Sequence, residues 1–393
     1  MSKRLSWHLG LLLAGSFAFG QGPSLQLVQS VPIETGLEDP GLPLAREVWP
    51  EMIRGAKHTL DLAHFYVTNG PDPKTSPLEP TLAALEAAGA RGVKIRILLA
   101  TRMLDQDPAS VARLRKIPGA QFRAFDFGAE NLGILHAKYF LVDGREAFVG
   151  SQNLDWRALQ HIHETGLRFS TPALVKPLTA IFETDWAFAA SHVRPERSAA
   201  APPAARPTHE LVASPAFLNP PEVRAALPVL EELLGSAKTR IRVQLLTYSP
   251  VSGRVHYWPI LDSALRAAAV RGVRVELLVS DWNLASPAVE HLKSLTLLPN
   301  LEIRIASIPD LATGPIPFAR VVHSKYMTVD GQVLWLGTSN WSQDYFTASR
   351  NVEIIARDKN VAVQADGIFE RLWNSRFCTR LDPGKTYTPR KRE

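Results

Sequence analysis

The sequence of 393 residues contains one cysteine, Cys378, so the chain cannot form an internal disulfide and its core must stabilise the fold unaided. It has no large excess of one charge: 44 Lys and Arg against 38 Asp and Glu give +6, which permits a polyanionic partner without requiring one. After its N-terminal segment it contains no apolar run near the about 20 residues that a membrane-spanning helix needs. With 46% hydrophobic and 21% charged residues, the composition is that of a globular protein and excludes a disordered chain.

The N-terminal segment has the layout of a secretory signal. The positive start MSKR precedes a short apolar run over residues 9–19, and AFG at 18–20 is a small-x-small site for cleavage before Gln21. We therefore predict a signal peptide over residues 1–20 and a secreted or periplasmic mature protein. The alternative is an uncleaved anchor helix, which the length of the run disfavours because a membrane span takes about 20 apolar residues.

An internal repeat organises the rest of the chain. We predict two homologous halves, residues 24–195 and 209–380, joined by an Ala- and Pro-rich linker at 196–208 and followed by a basic tail at 381–393, whose end PRKRE is expected to be disordered. The segments that recur in the same order are 55–67 and 236–248, 90–100 and 270–280, 135–144 and 322–331, and 148–156 and 335–343.

The rhythm within each repeat is strand, helix, strand, then a hairpin of two strands, then a helix. Such alternation indicates an α/β fold with helices on the sheet faces. We therefore expect two homologous α-β-α sandwich halves packed about a pseudo-twofold axis, with corresponding edges of the two sheets meeting at one place.

The third repeat carries a histidine and a lysine two positions apart, His136 and Lys138 in the first half and His323 and Lys325 in the second. Because side chains alternate across a strand, each pair points to one face. An Asp-Gly turn follows each pair and predicts a tight hairpin.

The fourth repeat reads GSQN in the first half and GTSN in the second, and its polar side chains are Ser151, Asn153, Thr338 and Asn340. Small, hydroxyl and amide residues where a strand ends and a helix begins are typical of anion-binding loops. One His-x-Lys or one such loop would be a weak signal, but their combined spacing occurs twice in homologous places.

Together the halves supply two imidazoles, two ammonium groups, two amides and two hydroxyls, an inventory that suits a phosphodiester. Lysine and asparagine side chains can hold the non-bridging oxygens and stabilise charge in the transition state. One histidine can attack phosphorus while the other protonates the leaving oxygen. No cofactor or metal is expected if the two ammonium groups take the role of a Lewis acid.

The stretches HAKYFLVD…GSQN and HSKYMTVD…GTSN resemble the paired HxKxxxxD signature of the phospholipase D superfamily, over almost all of the mature chain. Within it, the stretches GILHAKYFLVD, HYWPILDSALR, IPFARVVHSKYM and GTSNWSQDYFT are most similar to the lysosomal phospholipase D-like 5′ exonucleases of animals. Those enzymes carry disulfides and a membrane anchor, whereas this chain can form no bridge, so its stability outside the cell must arise differently.

The resemblance implies a two-step mechanism through a covalent phosphohistidine. It implies His136 as the nucleophile and His323 as general acid and then base, although the symmetry of the repeats leaves that order open. Lys138, Lys325 and both asparagines would grip the phosphate, with Ser151 and Thr338 in support.

Three further sets of residues lie near these motifs in the sequence or have side chains suited to such a site. Asp143 and Asp330 are interpreted as structural turn or ion-pair residues, and the acids expected to orient the histidines are Glu164 and Glu353, which follow the asparagines by 11 and 13 positions. Tyr248 and Tyr257 are candidates to stack on a base, although such aromatic residues are more often part of a core. His161 and His163 lack further ligands and are expected to be surface histidines, not a metal site.

Three functions fit these residues. The first is a metal-independent 5′ exonuclease on single-stranded DNA or RNA that releases nucleoside 3′-monophosphates. The second is a phospholipase D or phosphatidyl transferase acting on phospholipids. The third, a non-catalytic binding module, is disfavoured because every polar residue of both half-sites is present. No stable protein partner is implied, and the internal duplication means that a dimer is not needed to complete the site.

Overall fold

The computed structural model describes residues 24–128, 133–194, 206–253 and 256–390. The predicted signal peptide and most of the predicted linker therefore lie outside the described residues. The described chain folds into two similar halves, each built around one mixed sheet.

In the first half, seven strands form one sheet in the order β1-β9-β7-β6-β2-β4-β5. Strand β6, which follows His136 and Lys138, is the fourth and therefore middle strand, and its neighbour β2 runs antiparallel to it and parallel to β4. The elements are β1 Leu25–Ser30, α1 Ala45–Gly55, β2 Thr59–His64, β3 Val67–Thr68, α2 Glu79–Ala90, β4 Lys94–Ala100, α3 Pro108–Arg115, β5 Gln121–Phe125, β6 Tyr139–Val142, β7 Glu146–Gly150, β8 Leu154–Asp155, α4 Trp156–Gln160, β9 Glu164–Phe169 and α5 Pro172–Ser191.

The second half repeats this plan, with short strands added at both edges. Its sheet has the order β11-β10-β19-β18-β17-β12-β15-β16-β20, whose seven inner strands match the first sheet one for one. The elements are β10 His209–Ser214, β11 Arg224–Ala225, α6 Ala226–Ser236, β12 Arg240–Leu245, β13 Val251–Ser252, β14 His256–Tyr257, α7 Ile260–Val270, β15 Arg274–Ser280, α8 Ala288–Leu295, β16 Leu301–Ala306, β17 Tyr326–Val329, β18 Val333–Gly337, α9 Gln343–Thr347, β19 Asn351–Ala356, α10 Lys359–Trp373 and β20 Cys378–Arg380.

Alternation along the strands gives each sheet two buried faces. In β6, Phe140 packs into an outer core with α1 and α2, whereas Tyr139 and Leu141 face an inner core. Tyr326 of β17 belongs to the same inner core, which also contains apolar residues of α5 and α10. The predicted α/β fold with two sandwich halves is thus confirmed, and the two sheets share one central layer.

The Asp-Gly turns of the His-Lys hairpins are structural. Asp143 and Asp330 have φ of 53° and 54°, in the left-handed region that a turn requires. The Asp143 carboxylate accepts backbone N–H bonds from residues 57, 58 and 59, and that of Asp330 accepts them from residues 238, 239 and 240. Each aspartate therefore fixes its hairpin to the start of the neighbouring antiparallel strand, β2 or β12, which agrees with the structural role interpreted from the sequence.

Residues 381–390 of the predicted basic tail are described and pack against the second half, whereas most of the PRKRE end, for which disorder is predicted, lies outside the described residues. The Leu381 N–H donates to Ile303 O at 2.9 Å. Arg390 donates to Ile308 O at 2.8 Å and pairs with Asp310. Its basic side chain thus has backbone and carboxylate partners that a composition argument does not reveal. In the described ranges, none of the helices combines the length and the apolar character needed to traverse a bilayer.

Candidate active site

The two histidine segments are joined to the opposite halves by backbone hydrogen bonds. The His136 N–H donates to Arg350 O, and the His323 N–H donates to His163 O, both at 2.9 Å. Both pairs of counterparts are 187 positions apart (323 − 136 and 350 − 163), so the contacts are related by the internal repeat. The pseudo-twofold axis therefore passes between the two imidazoles.

Each imidazole is oriented by a side chain from the other half. His136 Nδ1 lies 3.0 Å from Asn351 Oδ1, and His323 Nδ1 lies 2.8 Å from Glu164 Oε2. Asn351 and Glu164 are also 187 positions apart and begin equivalent strands (351 − 164). With Nδ1 engaged, Nε2 is the nitrogen that each ring can present to a ligand.

Glu353 does not orient a histidine, which corrects the prediction made from the sequence. It lies two residues beyond Asn351 in β19, on the same face but deeper in the sheet. Its Oε2 accepts a 2.9 Å hydrogen bond from Trp335 Nε1 in the outer core. Burial raises the pKa of Glu353 to about 7, which a carboxyl in an apolar layer is expected to show.

Both lysines are completely buried beside the histidines. Lys138 Nζ donates to His136 O at 2.6 Å, and Lys325 Nζ donates to His323 O at 2.5 Å. Burial lowers the pKa of Lys325 to about 7, opposed by the negative charge of Glu164. Burial and then the charge of Lys325 lower the pKa of Lys138 well below its usual value. An anion placed between them would therefore strengthen the protonation of both ammonium groups.

The two asparagines line the same cavity as the histidines, and their partners differ. Asn153 Nδ2 donates to Tyr66 Oη at 3.3 Å, and Tyr66 donates to Asp155 Oδ2 at 2.7 Å. Asn340 Oδ1 accepts the N–H of Thr247 at 3.2 Å. The first half therefore holds its amide through a tyrosine and a carboxylate, and the second holds its amide through the backbone.

Ser151 and Thr338, for which support of the phosphate is predicted, are fully buried and are not among the residues that line the cavity. The Ser151 hydroxyl donates to Thr165 O and accepts its N–H at 3.1 Å. The Thr338 hydroxyl donates to Asn351 Oδ1 at 2.9 Å and so supports the partner of His136. Hydroxyls at the ends of β7 and β18 are used to join neighbouring strands.

Neither tyrosine proposed to stack on a base lies at the site. Tyr248 is buried in the outer core and donates to Asp262. Tyr257 is 50% exposed, but it stacks on His291 with a ring separation of 5.6 Å and is not among the residues that line the cavity. Tyr248 follows the end of β12 at Leu245, and its ring lies in the core, where Asp262 of α7 supplies the carboxylate that accepts from its hydroxyl.

His161 and His163 are buried, which corrects the prediction that they are surface residues. His163 Nδ1 lies 3.3 Å from Ser324 Oγ and 3.2 Å from Gln244 Nε2. Burial lowers the pKa of each to about 4, so both are neutral near pH 7. Among the described residues, no group of three or more His, Cys, Asp or Glu side chains is placed to hold a metal ion.

The cavity between the halves has a volume of about 330 Å³ and opens to solvent. Burial and the two lysine charges lower the pKa of both site histidines well below 6.5, and burial raises the pKa of Glu164 to about 7. The residues that line this cavity are Phe65, Tyr66, Met103, Gln106, His136, Asn153, Arg157, Ile162, Leu246, Trp282, Phe318, Val321, His323, Asn340 and Tyr345.

Sequence reasoning missed several members of this site. Asn351 follows Asn340 by 11 positions, the same interval that separates Glu164 from Asn153, so equal spacing would have identified it. Tyr345, whose ring lies edge-on to that of His136 at 4.9 Å, had no comparable signal because its counterpart in the repeat is an alanine.

A duplicated mixed sheet with two His-x-Lys strands meeting at one cavity defines a phosphodiesterase of the phospholipase D type. The family described as "Cardiolipin synthase, PLD-like domain" matches residues 50–186 and 230–373, and the chain belongs to the phospholipase D superfamily. It is a hydrolytic enzyme of that superfamily, as the names of its relatives also indicate.

Curated relatives match over most of the chain. It is 32% identical to "Phospholipase D Z" of Dictyostelium discoideum, covering 91% of this chain and 90% of that protein. It is 30% identical to "5'-3' exonuclease PLD3" of Homo sapiens, covering 91% and 80%, and 30% identical to "5'-3' exonuclease PLD4" of Homo sapiens, covering 91% and 79%. The predicted similarity to the animal exonucleases is thus confirmed.

Solved structures support the fold. The phosphatidylserine synthase of Haemophilus influenzae superposes with a TM-score of 0.60 at 12% identity, covering 86% of this chain and 85% of that one. The polyphosphate kinase of Porphyromonas gingivalis superposes with a TM-score of 0.57 at 13% identity, covering 91% and 48%. At these identities the likeness concerns the fold alone.

Proposed function

We propose that the protein is a metal-independent 5′ exonuclease that removes nucleoside 3′-monophosphates from single-stranded DNA or RNA. The observation that carries this proposal is one cavity flanked by two imidazoles, each held at Nδ1 by the opposite half, with two buried lysines beside them. The similarity to relatives named 5′-3′ exonucleases supports the choice of substrate.

The reaction needs one imidazole as nucleophile and one as acid. In the first step Nε2 of one histidine attacks phosphorus, a P–N bond forms, and the P–O5′ bond to the rest of the strand breaks. The other histidine gives its proton to the leaving 5′ oxygen. The lysine ammonium groups and the asparagine amides stabilise the charge that develops on the non-bridging oxygens.

The second step releases the product. The histidine that lost its proton now takes one from water, and the water oxygen attacks phosphorus as the P–N bond breaks. The products are a nucleoside 3′-monophosphate and the free imidazole. The histidine that acted as the acid now carries the proton taken from water, so both histidines are back in their initial protonation states.

The unequal partners of the two imidazoles favour His323 as the nucleophile, the reverse of the order that the family resemblance implies. The phosphorylated ring carries a positive charge throughout the life of the intermediate, and the Glu164 carboxylate at Nδ1 stabilises that charge. The acid must instead release its proton readily, and the neutral amide of Asn351 leaves His136 a stronger acid than a carboxylate partner would.

The deciding experiment uses the mature protein in EDTA with a single-stranded oligonucleotide that has a 5′ hydroxyl and a 3′ label. Stepwise shortening from the 5′ end is expected, with nucleoside 3′-monophosphates as products. Internal cuts alone, or intact oligonucleotide, would overturn the exonuclease proposal. The variants His136→Ala and His323→Ala serve as controls for contaminating nucleases.

A second candidate is hydrolysis or transfer of phospholipids. It is favoured by the similarity to a relative named phospholipase D and by two exposed aromatic residues, Trp282 and Phe318, at the cavity. Release of choline from phosphatidylcholine micelles, without cleavage of the oligonucleotide, would select it. We further propose export after removal of residues 1–20, which a mature N-terminus at Gln21 in the secreted fraction would support.

A further inference from the structure

Two exposed aromatic residues line the cavity. Among the large apolar side chains that are exposed in the described ranges, Phe318 and Trp282 are the ones that line this cavity, with exposed fractions of 53% and 37%. The imidazoles and the asparagine amides belong to the same lining. An occupant that has an anionic group and a flat apolar group fits this combination of side chains.

Phe318 lies in a loop that is longer than its counterpart in the first half. Residues 307–322 connect β16 to the second histidine, whereas residues 126–135 connect β5 to the first, so the loop is six residues longer (16 − 10). Two residues of this longer loop, Phe318 and Val321, line the cavity.

The loop is fixed from both sides by arginines. Arg157 of the first half donates to Pro317 O at 3.1 Å and pairs with Asp155. Arg320 donates to Pro309 O at 2.7 Å and to Ile33 O at 2.6 Å. The loop therefore spans the two halves and holds the intervening aromatic residue in place.

The backbone at Phe318 has an unusual conformation. Its φ is +58°, a left-handed value that a bulky side chain rarely adopts. Residues held in such conformations by their surroundings are concentrated at functional sites. Here the conformation leaves the ring half exposed at the cavity instead of buried in the apolar cluster formed by its neighbours Ile316, Ala319 and Val321.

We propose that Phe318 is the platform on which a nucleobase next to the scissile phosphate stacks, so that it determines where the strand end rests in the site. This inference rests on the proposed exonuclease function and adds a positioning residue to it. The Arg157 side chain, which holds Pro317 of the loop, lines the same cavity. Stacking tolerates any base because every base has a π face, so the platform suits an exonuclease without sequence preference.

The test uses oligonucleotides in which one of the first three nucleotides from the 5′ end is replaced by an abasic residue. If the wild-type protein stacks a base on Phe318, one abasic position should lower kcat/KM by about tenfold or more, as expected for loss of base–aromatic stacking. Phe318→Ala should lower kcat/KM on the normal strand by a similar factor and match the wild type on the strand with that abasic position. Phe318→Trp should retain the wild-type preference.

Tyr257→Ala is the matched control, because Tyr257 is an aromatic residue of the same exposure that lies away from the cavity lining. It should behave as the wild type on every strand. If Phe318→Ala shortens normal and abasic strands as the wild type does, the platform is overturned while the exonuclease function stands. If no strand is cleaved by any protein but Phe318→Ala lowers hydrolysis of phosphatidylcholine micelles, both proposals are overturned and Phe318 contacts lipid.

Discussion

His323 of the second half and Glu164 of the first half form one hydrogen-bonded pair, with 2.8 Å between Nδ1 and Oε2. Glu164→Gln keeps the shape of the partner but removes its charge, so the cationic ring is no longer stabilised. We expect kcat to fall by about 10²–10⁴-fold, the range that loss of an orienting carboxylate produces. Glu353→Gln is the matched control, because this buried glutamate accepts a hydrogen bond from Trp335 and does not orient a histidine. Its kcat should stay within a few-fold of the wild-type value. An equal loss of kcat in both variants would contradict the role assigned to Glu164.

The nucleophile can be identified with thymidine 3′-(4-nitrophenyl phosphate), whose leaving group departs without a proton. His136→Ala should release about one nitrophenolate per site in a burst, because attack by His323 remains possible while water activation is lost. Peptide mass spectrometry under alkaline conditions should then find the nucleotide on His323. A burst in His323→Ala, with the adduct on His136, would restore the order implied by the family resemblance.

The pH dependence of the reaction should respond to the partner of His136. Burial and the neighbouring lysines hold the pKa of this imidazole well below 6.5, so an acid at this position favours activity at acidic pH. Asn351→Asp places a carboxylate at Nδ1, favours the imidazolium and raises that pKa. The alkaline limb of the kcat/KM profile should therefore move to higher pH. If activity is lost on the acidic side instead, His136 must be neutral to act, and its assignment as the acid is wrong.

The buried ion pair between Arg350 and Asp185 should contribute strongly to stability. Both side chains are fully buried and lie 2.8 Å apart, and the Arg350 carbonyl also accepts the His136 N–H. Asp185→Asn leaves a buried guanidinium without its counter-charge and should lower the free energy of unfolding by about 3–5 kcal/mol in urea titrations. Glu183 lies in the same helix as Asp185, is half-exposed and pairs with Arg96 of β4. Glu183→Gln should therefore change the free energy of unfolding by less than about 1 kcal/mol.

Glu353 should make stability fall as pH rises. Its pKa of about 7 in the folded protein lies above the ordinary 4.5, so the folded state holds this proton more tightly. The resulting stabilisation is complete below about pH 4.5 and is lost as pH rises through about 7. Glu353→Gln removes the titration, and the difference in Tm between pH 5 and pH 8 should narrow. If the difference in Tm between pH 5 and pH 8 is the same in both proteins, ionisation of Glu353 does not destabilise the folded state.

The repeat made much of this architecture predictable, because the apolar alternation and the polar motifs recur in one order. The orienting residue of His136 was predictable from spacing, but the choice of Glu353 favoured an acidic residue over the equal interval that identifies Asn351. Burial of Tyr248 agrees with the general tendency of aromatic residues after a strand to belong to a core, which the sequence argument set against base stacking. The loop that carries Phe318 is held by contacts between the two halves, such as that of Arg157 with Pro317 O, which a sequence pattern does not reveal.

The exchange of orienting residues between the halves has a consequence for how such a site can change. In a symmetric dimer of identical halves, one codon would specify the partner of both imidazoles, and any substitution would alter the two together. Because a single polypeptide encodes Glu164 and Asn351 separately, one ring can be paired with an anion and the other with a neutral amide. Two halves within one polypeptide thus allow two histidines to take different roles in the same site.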